Sequence, residues 1–200
     1  MNLAPTGSAS NLLPYGRTVH STLPTLWGSK DFKTAQMTDH PLSHKQLKKL
    51  RRIIGFNNNC HQLYCLNMDE KSMFSHRLLA WSSQRLCEAT TEYNQSFGNV
   101  PIMNFFGDIG QLGPIGAKDL FIPPAKTAAP DILAGFAIYK NFESCVVLTQ
   151  TMRQKPDQKS LLERLLQIRN GSVTQQDWID INARYKNDLP DIEKRTIQTR

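Results

Sequence analysis

Three short apolar runs in this chain each break off into polar residues, and that pattern narrows the folds open to it. They are Leu63–Met68, ending at Asp69-Glu70; Val100–Phe106, ending at Gly107-Asp108-Ile109-Gly110-Gln111-Leu112; and Ser144–Thr149, ending at Gln150-Thr151-Met152-Arg153-Gln154. Runs of this length bounded by turn residues read as buried strands. Helical patterns fall between and after them. Met73, Leu78, Leu79 and Leu86 supply one apolar side, and Leu161, Leu162, Leu165, Leu166 and Ile168 mark another that closes near Gly171. Strand, polar loop and helix in repetition predict an α/β domain with a largely parallel sheet flanked by helices. In such sheets the chemistry sits just beyond the carboxyl ends of the strands, where these polar residues lie.

Ahead of the first run, Ser43 can cap a helix and Gln46 completes a capping box. Leu47, Leu50, Ile53 and Ile54 form its apolar stripe and Gly55 can end it. Its other face carries Lys45, Lys48, Lys49, Arg51 and Arg52. Such a charge run reads first as a solvated face; the functional readings are a phosphate-backbone contact or a nuclear-import signal. The N-terminal Ala4–Ser10 segment is turn-rich, and residues 22–41 read as an irregular surface stretch.

Composition sets outer limits. With 40% hydrophobic residues the chain has material for a core. Its net charge of +7 favours polyanionic partners. Cys60, Cys65, Cys87 and Cys145 lack metal-ligand spacing, and Cys65 and Cys145 sit in apolar runs as small core residues. The sequence shows no signal peptide and no membrane-length apolar stretch. An intracellular location is expected, nuclear in a eukaryote.

Four residues could carry phosphate chemistry. Asp69 can hold a magnesium ion, which prefers one or two carboxylates plus phosphate oxygens. Glu70 can take a proton from an attacking water. Gln111 can bond a terminal phosphate or a positioned water, and Arg153 can stabilise charge on a transferring phosphoryl group. Each has an ordinary alternative: a solvated acid pair, a Gly-Asp turn and a surface arginine. Thr6, Gly7, Thr18, His20 and Ser21 offer hydroxyls, backbone amides and an imidazole, groups that bond phosphate and sugar without reading sequence. Loop chemistry, and for His20 a packed histidine, are their alternatives.

Five segments in order resemble a known motif series: Ala4–Ser10, Gly16–Ser21, Asp69–Met73, Gly107–Gly116 and Leu148–Gln154. Leu161–Gly171 is also similar to the helix that follows the arginine motif there. Together they look like the petite-integration-frequency helicases, superfamily-one 5′-to-3′ DNA helicases that include the helicase portions of Helitron transposons. The resemblance runs from residue 3 to about residue 180. It implies a P-loop-NTPase-type (RecA-like) domain, ATP and Mg²⁺ as cofactors, single-stranded DNA as partner, and family roles in DNA repair, recombination, telomere maintenance or transposition. Pro5, Thr6 and Gly7 would touch the DNA backbone from one loop, and Thr18 and His20 from a second. Asp69 would hold magnesium, Glu70 would activate water, Gln111 would couple the γ-phosphate to the DNA site and Arg153 would reach the γ-phosphate.

The sequence departs from the family in one large respect. No G-x-x-x-x-G-K-[ST] loop occurs in it, although such a loop cradles ATP phosphates. The expectation is a partial first RecA-like domain over residues 1–180, without its first strand and phosphate loop, and a linker over 181–200 toward an absent second domain. Such a chain would be a helicase fragment inactive by itself. The alternative is a non-catalytic single-stranded-DNA-binding or interaction module derived from a helicase. Lys71 and Gly113 stand where the family usually has an apolar residue and a proline. Lys71 would place charge beside the carboxylates and Gly113 would loosen the loop carrying Gln111.

Overall fold

The computed structural model describes residues 1–25, 40–56, 62–150, 152 and 159–187. It divides into two compact units, Met1–Cys145 and Val146–Arg200. In the first, the strands are β1 (Asn2–Ala4), β2 (Arg17–Thr18), β3 (Cys65–Met68) and β4 (Ile102–Phe105), and the helices are α1 (Gly7–Leu12), α2 (Val19–Thr22), α3 (His44–Ile53), α4 (His76–Thr90) and α5 (Pro130–Lys140). The four strands form one sheet in the order β2-β1-β3-β4, and every pairing is parallel. This is the expected α/β architecture. The second unit contains α6 (Lys159–Asn170) and α7 (Gln175–Asn187). Among the described residues no helix is long and apolar enough to cross a membrane.

Strand β3 alternates as a sheet with two unlike faces requires. Leu66 and Met68 are fully buried, while Cys65 and Asn67 are half-buried. Asn67 stands in register with Asn2 on one neighbour and Asn104 on the other. Asn67 Nδ2 donates to Asn2 Oδ1 at 2.8 Å, and Asn104 Nδ2 donates to Asn67 Oδ1 at 2.9 Å. This amide ladder satisfies polar groups that would otherwise cost about 1–3 kcal/mol each when buried unpaired, and it pins the register of three strands.

Helix α4 is the central helix of the core. Twelve of its 15 residues are buried, among them Trp81, Leu79 and Leu86, each fully enclosed. Its buried polar groups are all bonded: Ser82 Oγ donates to Leu78 O at 2.8 Å, Ser83 Oγ accepts from Phe97 N at 2.8 Å, and Arg85 Nε donates to Pro24 O at 2.8 Å. Helix α5 crosses it closely enough that a Cβ on Gly135 would lie 1.9 Å from His76 O, so no larger residue fits there. Asp131 at the start of α5 locks the pair. Its Oδ2 lies 2.8 Å from Arg77 Nε and accepts from Trp81 Nε1 at 3.4 Å.

Helix α3 forms as expected. Ser43 accepts from Gln46 N while Gln46 Oε1 accepts from Ser43 N at 3.0 Å, a complete capping box. Leu50 and Ile54 are buried, and Gly55 follows with φ +66°. Helix α6 and Gly171 beyond it also match. In the second unit Arg164 pairs with Asp177 and Asp180. Thr174 caps the start of α7 with Asp177, whose carboxyl is held below its ordinary range chiefly by the Thr174 hydroxyl and then by the Thr174 amide.

Two expectations fail. Residues Ser144–Thr149 form no strand; Val146 and Leu148 are 84% and 86% exposed. A strand exists only through hydrogen bonds to a neighbour, and among the described residues none pairs with this run. Cys145 is accordingly exposed rather than a core residue. The Ala4–Ser10 segment is only partly turn: Thr6 caps a real helix. Most of the stretch read as irregular surface, residues 26–39, lies outside the described residues, as does Cys60.

Candidate functional site

The site is assembled at the carboxyl ends of β1, β3 and β4. Strand β1 ends at Ala4, and the chain turns through Pro5 into α1. Thr6 Oγ1 accepts from Ala9 N at 3.2 Å and lies 3.2 Å from Ser8 Oγ. The residue thus serves as N-cap of α1, its hydroxyl satisfying the Ala9 amide of the first turn. Gly7 has open space where a Cβ would lie.

Beyond β3, Asp69 N donates to Leu3 O at 2.9 Å, tying the acid pair to β1. Asp69 Oδ1 accepts from Glu70 N at 2.9 Å. Glu70 itself adopts φ 53°, ψ 51°, a left-handed conformation uncommon for a side-chain-bearing residue. Such outliers persist where surrounding structure over-determines them. Here the constraint is visible: Lys71 N donates to Phe106 O at 2.8 Å, and Phe106 N donates to Met68 O at 2.8 Å. The tips of β3 and β4 are thereby joined on both sides of the acid pair. Gly107, at φ +147°, permits that approach, since a Cβ on it would sit 2.6 Å from Lys71 N.

After Gly107 the chain makes the turn its composition suggests. Asp108 Oδ1 accepts from Gly110 N at 2.9 Å, and Gln111 N donates to Asp108 O at 3.2 Å. The turn brings Gln111 to an open cleft of about 870 Å³ whose walls include Thr6, Ser8, Glu70, Ser72 and Gln111. Three residues picked out by sequence, from three different strand ends, therefore share one cavity. Asp69, Pro5 and Gly7 lie beside it in the chain but do not line it. Arg153 lies outside the described residues.

Thr18 and His20 lie apart from this cleft's lining, Thr18 ending β2 and His20 in the short α2. Thr18 Oγ1 caps the short α2, accepting from Ser21 N at 3.3 Å and donating to Ser21 Oγ at 2.8 Å. His20 Nδ1 lies 2.8 Å from Thr25 Oγ1, and burial lowers its pKa below the ordinary 6.5. Burial thus favours the neutral form of this imidazole. Lys71 lines a smaller cavity with Ser72, Asp119 and Tyr139 rather than the cleft that holds Glu70. Gly113 lies against another chain segment, with Asp119 Oδ1 only 2.5 Å from where its Cβ would be. The Gln111 loop therefore approaches Asp119 closely at the position expected to loosen it.

Sequence reasoning missed Ser72. Its Oγ is buried with no hydrogen-bond partner, and it borders both cavities. Its place two residues beyond the acid pair was the available signal. The fit to a divalent cation rests on Asp69: its Oδ1 is engaged by the Glu70 amide, leaving Oδ2 for a metal whose other ligands would be water and phosphate oxygens.

The sequence matches no protein-family model, and no curated protein matches it significantly. Solved structures do. The crystal structure of a Pif1 helicase from Bacteroides in complex with ADP-AlF3 and ssDNA aligns with TM-score 0.60 at 24% identity, over 95% of this chain and 40% of that one. The chain shares its fold with Pif1 helicases. The Candida albicans Pif1 helicase aligns with TM-score 0.57 at 22% identity, over 89% of this chain and 35% of that one. A structure of two coordinating Pif1 helicases unwinding forked dsDNA gives TM-score 0.57 at 22% identity, over 95% and 42%. The sheet and its flanking helices match RecA-like helicase domains, and the chain spans about two-fifths of the length of these structures.

Proposed function

We propose that this chain is the strand-gripping and hydrolytic half of an ATP-driven DNA helicase motor. One observation carries the reading: Thr6, Glu70 and Gln111, from three strand ends, face a single cleft. In this reading the amides at the start of α1 and the Thr18 turn hold the backbone of single-stranded DNA. Asp69 holds magnesium on ATP, Glu70 takes the proton of the attacking water, and Gln111 links the terminal phosphate to the Thr6 side of the cleft. Arg153 neutralises charge on the transferring phosphoryl group. The magnesium ion supplies the charge that offsets the phosphates; the protein's own task is position and proton transfer. The whole motor would unwind 5′-to-3′, inside the cell, in repair, recombination, telomere maintenance or transposition.

The 200 residues contain no phosphate-cradling Gly-rich loop with lysine, so the polypeptide by itself is expected to bind single-stranded DNA without turning over ATP. The test is an ATPase and unwinding assay on the purified chain with single-stranded DNA, beside anisotropy with a labelled oligonucleotide. Background turnover, equal in Glu70→Gln, is expected together with DNA binding that weakens in Thr6→Ala and Thr18→Ala. Robust turnover abolished by Glu70→Gln would overturn the inactivity of the isolated chain, and unaltered binding in both threonine variants would overturn the DNA-side assignment.

A second reading is a DNA-binding module without catalysis. It is favoured by the completeness of the Thr6 and Thr18 caps within the described residues. Supplying a phosphate loop by fusion at the N-terminus separates the two: restored ATP hydrolysis supports the motor, and none supports the module.

A further inference from the structure

Helix α3 places four cations on one face. Lys45, Lys48, Lys49 and Arg52 recur at i, i+3, i+4 and i+7, and all four are exposed. At about 100° per residue they fall within a strip roughly 100° wide. Buried Leu50 and Ile54 point the opposite way. Arg51, at the margin, is committed to the fold: its Nε donates to Ala89 O at 2.9 Å and its guanidinium lies 4.9 Å above the Phe56 ring. The four on the strip have no such commitment to acids. Among the described residues none of them pairs with a carboxylate, and α3 contains no acidic residue.

Helix stability alone does not explain the arrangement. Like charges three and four apart repel. Lys45 also sits in the first turn, where the helix dipole disfavours a cation. Only Arg52 lies where the dipole would favour one. The strip instead complements a polyanion, and its position indicates which. Lys49 Nζ reaches Ser21 O at 3.5 Å, and Ser21 Oγ donates to Thr18 O at 3.0 Å. The basic face therefore abuts the Thr18–Ser21 turn at Lys49. From Lys45 to Arg52 it runs about 10 Å at ~1.5 Å per residue, a length of several phosphates at ~3.4 Å per nucleotide of a stacked strand.

We propose that the Lys45, Lys48, Lys49 and Arg52 face of α3 grips the phosphate backbone of the nucleic-acid strand as it passes beyond the Thr18–Ser21 turn. This deepens the single-stranded DNA reading above and rests on it. The contact is sequence-independent, made by ammonium and guanidinium groups to phosphate oxygens. Lys49 anchors the face to the turn, and the other three extend the track.

The test is the salt dependence of binding to a fluorescein-labelled oligothymidine, measured by anisotropy on the full 200-residue chain. One variant carries Lys45→Gln, Lys48→Gln and Arg52→Gln, sparing Lys49 so that the turn keeps its contact. A charge-matched control carries Lys118→Gln, Lys126→Gln and Lys140→Gln, three exposed cations elsewhere. Circular dichroism verifies that both keep wild-type helicity. Each phosphate contact on a single strand contributes about 0.7 to the slope of log affinity against log salt. The α3 variant is expected to lose about 2 from that slope, and the control none. Equal slopes in wild type and the α3 variant, with binding still sensitive to Thr18→Ala, would overturn this proposal and leave the DNA reading standing. No binding by wild type would overturn both.

Discussion

Replacing Gly107 by alanine tests whether the acid pair is held by contact between strand tips. The added Cβ would lie 2.6 Å from Lys71 N, 2.9 Å from Lys71 Cγ and 3.3 Å from the Glu70 carbonyl carbon. The lysine side chain can swing aside; the backbone nitrogen cannot, because it donates to Phe106 O at 2.8 Å. The residue would also have to hold φ +147°, at a cost of roughly 1–3 kcal/mol for a side-chain-bearing residue. Relieving the clash by parting the tips gives up that hydrogen bond, about 1 kcal/mol net. The sum is about 3 kcal/mol, which in a chain of this size lowers the melting temperature by roughly 6–12 °C at about 2–4 °C per kcal/mol. Urea unfolding followed by intrinsic tryptophan fluorescence, to which fully buried Trp81 contributes, measures it. A Gly107→Ala protein within about 0.5 kcal/mol of wild type, the scatter of innocuous surface changes, would refute the reasoning.

Other perturbations follow from the same contacts. Asp131→Ala removes the carboxylate bonded by Arg77 Nε and Trp81 Nε1, and the loss is expected to cost about 1–3 kcal/mol, read from the urea midpoint. Ser43→Ala removes the α3 cap at a cost of about 1 kcal/mol, read in the same assay. For His20, burial lowers the folded pKa below 6.5, so the unfolded chain binds the proton first as pH falls. Stability from this group is full above about 6.5 and declines as pH drops toward the folded value; His20→Asn is expected to flatten that part of a melting-temperature profile against pH.

Much of the fold was legible because burial leaves a pattern. The runs at 65–68 and 102–105 were apolar, short and bounded, and α3 carried its cap and stripe in plain order. Strands β1 and β2 were not legible, since three and two residues are too few to show an alternation. Helix α1 was hidden because Gly7, Ser8 and Ser10 are turn-forming types, and only the Thr6 cap makes them helical. Helix α5 is apolar on every side, so it has no period to find. The run at 144–149 shows the opposite failure: its composition suits a strand, but composition does not provide the neighbour a strand needs. At the site, residue types pointed to Glu70 and Gln111. Their meeting with Thr6 depended on the β3–β4 tip contact through Gly107, and Ser72 became visible only as a buried hydroxyl between two cavities.

The central claim, that the strand ends of this sheet face DNA on one side and phosphate chemistry on the other, is tested most directly by amide chemical shifts. Uniformly ¹⁵N-labelled protein would be titrated with a short oligothymidine. The shifted amides are expected to cluster at Thr6–Ala9 and Thr18–Ser21, whose caps are already formed, and to extend into Gln111 across the cleft. Shifts confined to α6 and α7, or an oligothymidine that moves no amide in either capped turn, would contradict it.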